Sequence, residues 1–438
     1  MPSHTLSEPS RLTPVVEEAD VLVCGAGPAG VSAALASARA GARTRLIELH
    51  GCLGGTWTAG QLAWIWDIDK PGLARELTTA LTQRHARGGA HPGHYTYDIE
   101  ALKLLLEERC GQAGVRIRLF TRVVGAVRDA QNRLTTILTE SKSGREAWRA
   151  AAFVDATGDG DLASLAGCGY DLGHPLTGQT QPMTYMALIA VPSAAALHDC
   201  ISFWEGSERH LPAVEAFSRE LRRAGLSPSY GHPTLFCVRD NILALMINHE
   251  YGVSALDAEQ VTQATLRGRA EVNANVAGLR GLGGAWEGVH LVATCEQIGI
   301  REARRIHGRY TVTESDLLAG ARHEDAICRV TFGVDVHALD PRKDRSLSNM
   351  GVAMQPYEIP LRALIASDVD GLLLAGRCIS GDFLAHASYR VTGNAVATGE
   401  AAGTLAALSA LRGELPHHVP WRVVLDALAH QRALHQSE

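Results

Sequence analysis

The sequence predicts an α/β protein: a Rossmann-like dinucleotide-binding domain, doubly built around a parallel sheet, with a mixed α+β domain inserted into it. Three observations lead there. Val21 to Glu48 reads as strand, glycine turn, helix, strand and terminal acid. The character of the chain changes over 172–325 to hairpins and one long helix. Near the end, an apolar strand closed by Gly376 and a small-residue helix opening at Val391 return to the style of the first domain.

The elements follow in order. Val21, Leu22 and Val23 form a buried parallel strand, and Gly25, Gly27 and Gly30 make a GxGxxG turn into a helix. Gly25 permits the turn, Gly27 lets backbone approach a pyrophosphate, and Gly30 lets helix and strand pack closely. Free N–H groups and the helix dipole favour an anion at that terminus. Thr44 to Ile47 form the second strand, and Glu48 ends it where a carboxylate accepts ribose hydroxyls. Gly54, Gly55 and Thr56 lie in a flexible loop able to pass close to a flat ligand. A helical pattern covers 73–85, and Asp98 caps a helix running through Cys110. Val115, Ile117 and Leu119 alternate as a strand; 122–128, 134–139 and 147–154 read as a β-meander inserted between parallel strands. Phe153 and Val154 lead into Asp155-Ala-Thr-Gly158, a second close approach of backbone to ligand. Within the insertion, Asp240-Asn241 turns a hairpin, a helix runs from Asp257 to about Leu279, and a strand lies at His290 to Thr294. Thr313 and Asp316 have the spacing of a helix cap. The expected division is a disordered lead over 1–17, a discontinuous cofactor domain over 18–171 and 326–438, and a substrate domain over 172–325.

Composition narrows the function. A chain of 438 residues is long enough for two or three domains. A net charge of −6 argues against nucleic acid or an anionic membrane surface as the main partner. No apolar run reaches the roughly 18 residues of a membrane helix. Nine cysteines show no CxxC pair and no metal-ligand spacing, so reduced thiols in a cytoplasmic protein and no metal site are expected. The expected partner is a small molecule; oligomeric state is left open.

GAGPAG with Glu48, LGGTWTAG, DATGDGDLASLAG, IGIREARRIHGRY and LLLAGRCISGDFLAHASYRVTGNAVATGEAAG occur in an order that resembles the FAD-dependent oxidoreductase family. This is a glutathione-reductase-like superfamily of flavoproteins, more distantly akin to fumarate reductases, and the resemblance spans about 19–410. It implies FAD as cofactor and a glutathione-reductase-type fold. By motif, Gly25, Gly27, Ala29 and Gly30 would hold the pyrophosphate and Glu48 the ribose. Val124 would contact adenine through its backbone, and Gly158 and Asp159 would make a second contact. Gly376, Arg377, Gly393, Asn394 and Val396 would contact the ribityl chain and ring. The sequence also departs from relatives. Trp57 stands where disulfide reductases carry a redox cysteine pair, and GRCISGD replaces the GDAAH-like motif of aromatic hydroxylases. Gly278 to Gly284 lacks the strand that a second nucleotide site requires. Trp64-Ile-Trp66-Asp-Ile68 is similar to a halogenase signature but lies too early and lacks its proline, which favours aromatic packing.

Oxidation of a C–H beside oxygen or nitrogen needs a residue to take the accompanying proton. His386, expected in the loop before the last helix, is the first candidate, with Tyr389 and Arg390 beside it. Arg390 could orient an anionic substrate. Arg301 is the analogue of the arginine that acts as proton donor or carboxylate clamp in fumarate-reductase relatives. On a helix it would share a face with Arg305 and lie close to Arg304. His249 is a weaker candidate, and Cys52 and Cys378 are expected to be buried thiols rather than redox groups. The expected reaction is two-electron oxidation of a small alcohol or amine, or a desaturation, by hydride transfer to FAD. The alternatives are an NAD(P)H-using flavin monooxygenase or ene-type reductase, and a non-catalytic flavin-binding subunit or redox sensor.

Overall fold

In the computed structural model, which describes residues 6–91 and 93–434, the central sheet grows outward from strand β1 (Val15–Cys24). β1 pairs in parallel with β2 (Thr44–Ile47) on one side and with Gly144–Asp155 on the other. Arg116–Arg118 extends the parallel set beyond β2, and Leu372–Leu374 joins it beside Gly144–Asp155. The apolar run of β1 from Val21 to Cys24 is fully buried, as a strand covered on both faces must be.

Helix α1 (Pro28–Arg39) connects β1 to β2. It packs on the long helix Thr392–Arg412, and the two backbones nearly touch. A Cβ at Gly399 would lie 2.2 Å from the Ala29 carbonyl oxygen, and one at Gly403 would lie 2.0 Å from that of Ala33. The small-residue stripe TGNAVATGEAAG therefore makes the contact that ties the end of the chain to its beginning.

Two expectations change here. β1 begins at Val15, inside the stretch expected to be a disordered lead, because Val15 and Glu17 find partners in Ala147 and Trp148. The meander is not inserted between parallel strands. Its third strand, Gly144–Asp155, is itself a parallel strand: its first part pairs antiparallel with Leu134–Ser141 and its far end continues beside Leu372–Leu374.

A second core forms from side chains between Met183 and Ile298. Its antiparallel sheet runs Thr234–Arg239, Ile242–Met246, Ala187–Ala190, His290–Thr294, in contact with the helices Leu211–Arg223 and Ala258–Gly281. Asp257 caps the latter through the backbone N–H groups of Glu259 and Gln260, and Thr313 with Asp316 closes a reciprocal capping box. A small sheet of Trp64–Ile65, His94–Tyr97 and Arg87–His91 belongs to the first core and touches the strand Thr234–Arg239 of the second domain. Trp64 stacks there on Phe203 and Phe236, both at 4.7 Å between centroids. All nine cysteines are free thiols, and no described helix is long and apolar enough to cross a membrane.

Candidate functional site

A single cleft of about 580 Å³ runs from the β1–α1 turn to the sheet of the second core. Its first half is mostly backbone. Gly25 takes φ +89°, and a Cβ there would lie 2.5 Å from the Ala156 carbonyl oxygen, so only glycine satisfies both the turn and the neighbouring strand end. Gly27 stands at the N-terminus of α1 with φ −67° and faces open space, with nothing within 4 Å of a built Cβ. Gly30 does not line the cleft; a Cβ there would meet the Gly25 carbonyl at 1.8 Å, which is the close helix–strand packing expected of it.

Glu48 is buried and accepts from Ala26 N at 2.5 Å and from His50 N at 2.8 Å, one bond on each carboxylate oxygen. Each oxygen keeps lone-pair capacity toward the cleft. Asp155 organises the second approach loop. It accepts from Thr157 N, Thr157 Oγ1 and Ala163 N at 2.7–3.0 Å. Burial raises its carboxyl to about 6 despite those bonds. Beyond it, Arg377 donates to Asp159 at 2.6 Å and leaves Nη1 buried without a partner at the cleft wall.

This half fits a dinucleotide. Open space at Gly27, free N–H groups at the start of α1, a carboxylate at the end of β2 and an unpartnered guanidinium nitrogen on Arg377 supply what a pyrophosphate and its riboses need. Gly25, Gly27, Ala29, Glu48, Gly55, Thr56, Gly158, Asp159, Gly376 and Arg377 all line the cleft. Other sequence candidates do not. Gly54 lies behind Gly55, turned toward Thr58. Val124 is the extra residue of a β-bulge, which leaves Thr121 to Val123 on the wall in its place. Gly393 abuts the Trp66 and Asp67 carbonyls, and Asn394 and Val396 are fully buried; Val391, Thr392 and Ala395 face the cleft from that helix.

The second half is made of side chains. Arg301 is pinned by two bonds from Nη1, to Pro182 O at 2.8 Å and to Thr184 Oγ1 at 2.7 Å. Arg390 donates to Asp335 Oδ2 at 3.1 Å and to Gln181 Oε1 at 3.3 Å. His337 places Nε2 3.3 Å from Asp335 Oδ2. Burial alone would raise the Asp335 carboxyl, but His337, Arg390 and Arg301 outweigh it and hold it well below the usual carboxylate range. Burial, reinforced by Arg301, pulls His337 down to about 4, so the ring is neutral at pH 7. Tyr230 and His249 stack behind it, with centroids 3.9 Å apart, and burial also holds His249 far below the imidazole range. The opposite wall is apolar and aromatic: Trp64, Trp66, Phe236, Phe332, Met186 and Met246.

The catalytic candidates read from sequence separate here. Arg301 and Arg390 meet at this end of the cleft. His386 and Tyr389 do not line it. His386 lies inside the helix Phe383–Tyr389 rather than in a loop and is fully buried. Burial and the nearby Arg305, Arg390 and Arg377 keep its ring neutral. Tyr389 donates to Ile379 O at 3.0 Å and supports the backbone. Arg301, Arg304 and Arg305 are not on a helix; the segment is extended and ends in the strand Arg305–Ile306, so the three diverge. Arg304 braces the Asp159–Asp161 turn, and Arg305 pairs with buried Glu302 at 2.5 Å. Cys52 and Cys378 stand off the cleft. Asp335 and His337 escaped sequence reasoning. Their signal was the alternation Val334-Asp-Val-His337, which puts acid and imidazole on one face of an extended segment.

Residues 20–430 match the profile of the family described as FAD dependent oxidoreductase. Solved structures that match over nearly the whole chain share little sequence with it. A geranylgeranyl bacteriochlorophyll reductase-like protein from Thermoplasma acidophilum is 12% identical, with 96% of this chain and 83% of that one covered at a TM-score of 0.46. The p-nitrophenol 4-monooxygenase PnpA from Pseudomonas putida is 11% identical over 96% and 86%, at 0.47. The anhydrotetracycline hydroxylase OxyS from Streptomyces rimosus is 13% identical over 96% and 67%, also at 0.47. With the family profile spanning nearly the whole chain and a nucleotide cleft built to match, the protein belongs to the FAD-dependent oxidoreductase family and is an enzyme that uses FAD.

Proposed function

We propose that the enzyme is a dehydrogenase or oxidase that removes two electrons from a small organic substrate held at the Arg301–His337 end of the cleft. Bound FAD supplies the hydride acceptor. Gly25, Gly27, Ala29 and Glu48 would hold its pyrophosphate and ribose, and Gly158, Asp159, Gly376 and Arg377 would hold the middle of the molecule. The observation that carries the reading is continuity: the same cleft passes from these residues to Asp335 and His337.

The work of the chain at the substrate end is proton handling and orientation. His337, neutral and 3.3 Å from Asp335, accepts the proton of a substrate O–H or N–H as the carbon beside it gives up hydride and a C=O or C=N bond forms. Asp335 orients the ring and stabilises the imidazolium, the division of labour seen in acid–histidine pairs generally. The aromatic wall excludes water from the reacting carbon.

Anaerobic mixing of the FAD-loaded enzyme with alcohols, amines and saturated acids tests this. The flavin absorbance is expected to bleach with at least one substrate class in the absence of nicotinamide. Bleaching by NAD(P)H alone would overturn the direction of electron flow.

A further inference from the structure

The substrate end holds one cation more than its single carboxylate, Asp335, balances. Arg301 spends Nη1 on a carbonyl and a hydroxyl, and no carboxylate among the described residues pairs with it. Burial pulls its guanidinium down to about 10, which leaves it protonated at neutral pH. Arg390 next to it does have a partner, Asp335. With His337 and His249 neutral, the charges in the wall are two positive (Arg301, Arg390) and one negative (Asp335), a surplus of one positive charge. A buried charge without a partner is expensive, and fixed donors around it are what recognise a planar anion.

A second observation is independent of charge. Four polar atoms on the same cluster are buried with no protein partner: Gln181 Nε2, Arg390 Nε, Asp335 Oδ1 and His337 Nδ1. Gln181 and His337 are only 2% and 4% exposed, so bulk solvent does not satisfy these atoms. Three of these residues, Arg390, Asp335 and His337, line the cleft: Arg390 Nε is a donor for a carboxylate, whereas Asp335 Oδ1 and His337 Nδ1 are acceptors for the O–H or N–H beside the reacting carbon. Facing them, half-buried Trp66 and Phe332 present apolar ring surface to the cleft. Trp64 beside them is clamped between Phe203 and Phe236, at 15° and 19° to its ring, and holds the wall in place.

We infer that the substrate is a small aromatic carboxylic acid, its carboxylate held by Arg301 and Arg390 and its ring against Trp66 and Phe332. This rests on the proposed function for the placement of substrate at this end, and adds the chemical class. It has a consequence for the base. Arg301 is one reason His337 is held so low, and a carboxylate seated on Arg301 cancels that field, so binding of the acid raises the basicity of the group that must take the proton. A neutral analogue leaves His337 as it was.

Titration of the FAD-loaded protein with phenylacetate, benzoate, phenylacetamide, benzamide and acetate, read by the shift in the visible flavin spectrum, tests the inference on the native chain. The two aromatic acids are expected to bind at least tenfold more tightly than their amides and than acetate. Arg301→Met is expected to erase the preference for acid over amide while amide binding stays. Arg301→Lys, which keeps the charge without the planar fork, is expected to retain part of it. Amides binding as tightly as acids would overturn the carboxylate assignment, and acetate binding as tightly as phenylacetate would overturn the aromatic one. Selective acid binding with no substrate class able to bleach the flavin would sink the proposed oxidation and leave the binding assignment standing. Bleaching by neutral alcohols without acid selectivity would do the reverse.

Discussion

At the Glu48 end of the cleft, the strand ends and turns around Gly25–Ala29, Ile47–His50, Ala156–Asp159 and Ala375–Arg377 supply the wall, and much of what they present is backbone. At the Arg301 end, Arg301, the Asp335–His337 segment and Arg390 arrive from three separate stretches of chain, and what they present is side chains. The first end recognises what every FAD shares, by N–H groups and empty space. The second is a balance of charges and rings that could be altered one residue at a time. The fold keeps the two tasks apart: α1 and the helix Thr392–Arg412 lock the nucleotide end, while the other end gathers Trp64, Trp66, Phe236 and Phe332 from the first core and Met186 and Met246 from the second.

If the division is real, a substitution at one end should leave the other untouched. Gly27→Ala should have the largest effect on the cofactor. Its Cβ meets nothing in the protein, so folding is expected to survive, with helix-capping costs below about 1 kcal/mol. The methyl group projects where the pyrophosphate must approach, and FAD affinity is expected to fall roughly 100-fold by equilibrium titration of the apoprotein. Glu48→Gln should weaken FAD by about 1.5–3 kcal/mol, because an amide cannot accept on both sides as the carboxylate does.

Stability against pH sharpens the comparison from the histidine side. His94 and His337 are held at about 4, and His249 and His386 are also held well below 6.5, chiefly by burial. The unfolded chain protonates these rings first, so stability is expected to fall as pH drops from 6.5 toward 4, by at most about 1.4 kcal/mol per pH unit for each ring. His210, His232 and His417, also pushed down chiefly by burial, add to these rings, while the carboxyls that burial pushes up, Asp155 to about 6 together with Asp159, Glu250, Glu302 and Glu400, act in the opposite sense, five groups against seven. Melting temperatures measured from pH 7 to 4 check the sign. The smallest catalytic effect is expected at His386→Asn. The ring lies outside the cleft, so melting temperature is expected to change while turnover per bound FAD stays within about twofold.

The same contrast explains how much could be read from the sequence. The β1–α1–β2 unit was legible because each requirement is local: apolar strand, glycines at fixed offsets, acid at the strand end. The helix caps at Asp98, Asp257 and Thr313 were legible for the same reason. Val124 was misplaced because a bulge breaks strand alternation, and a bulge leaves no mark in composition. His386 was misplaced because its loop proved to be one end of a short buried helix begun by Asp382, whose side chain accepts from Ala385 N at 2.8 Å. Arg301 lines the cleft, but the helix invoked for it is an extended segment. The Asp335–His337 pair was visible only as a two-residue alternation, and its meaning depends on Arg301 and Arg390 being brought beside it by folding.

His337 is the proton acceptor on which the proposed oxidation depends most directly. In FAD-loaded His337→Asn, single-turnover bleaching by a competent substrate should slow by about 10²–10⁴-fold, with FAD affinity unchanged. Bleaching at the native rate with the cofactor fully bound would contradict that role, and would place the proton acceptor elsewhere.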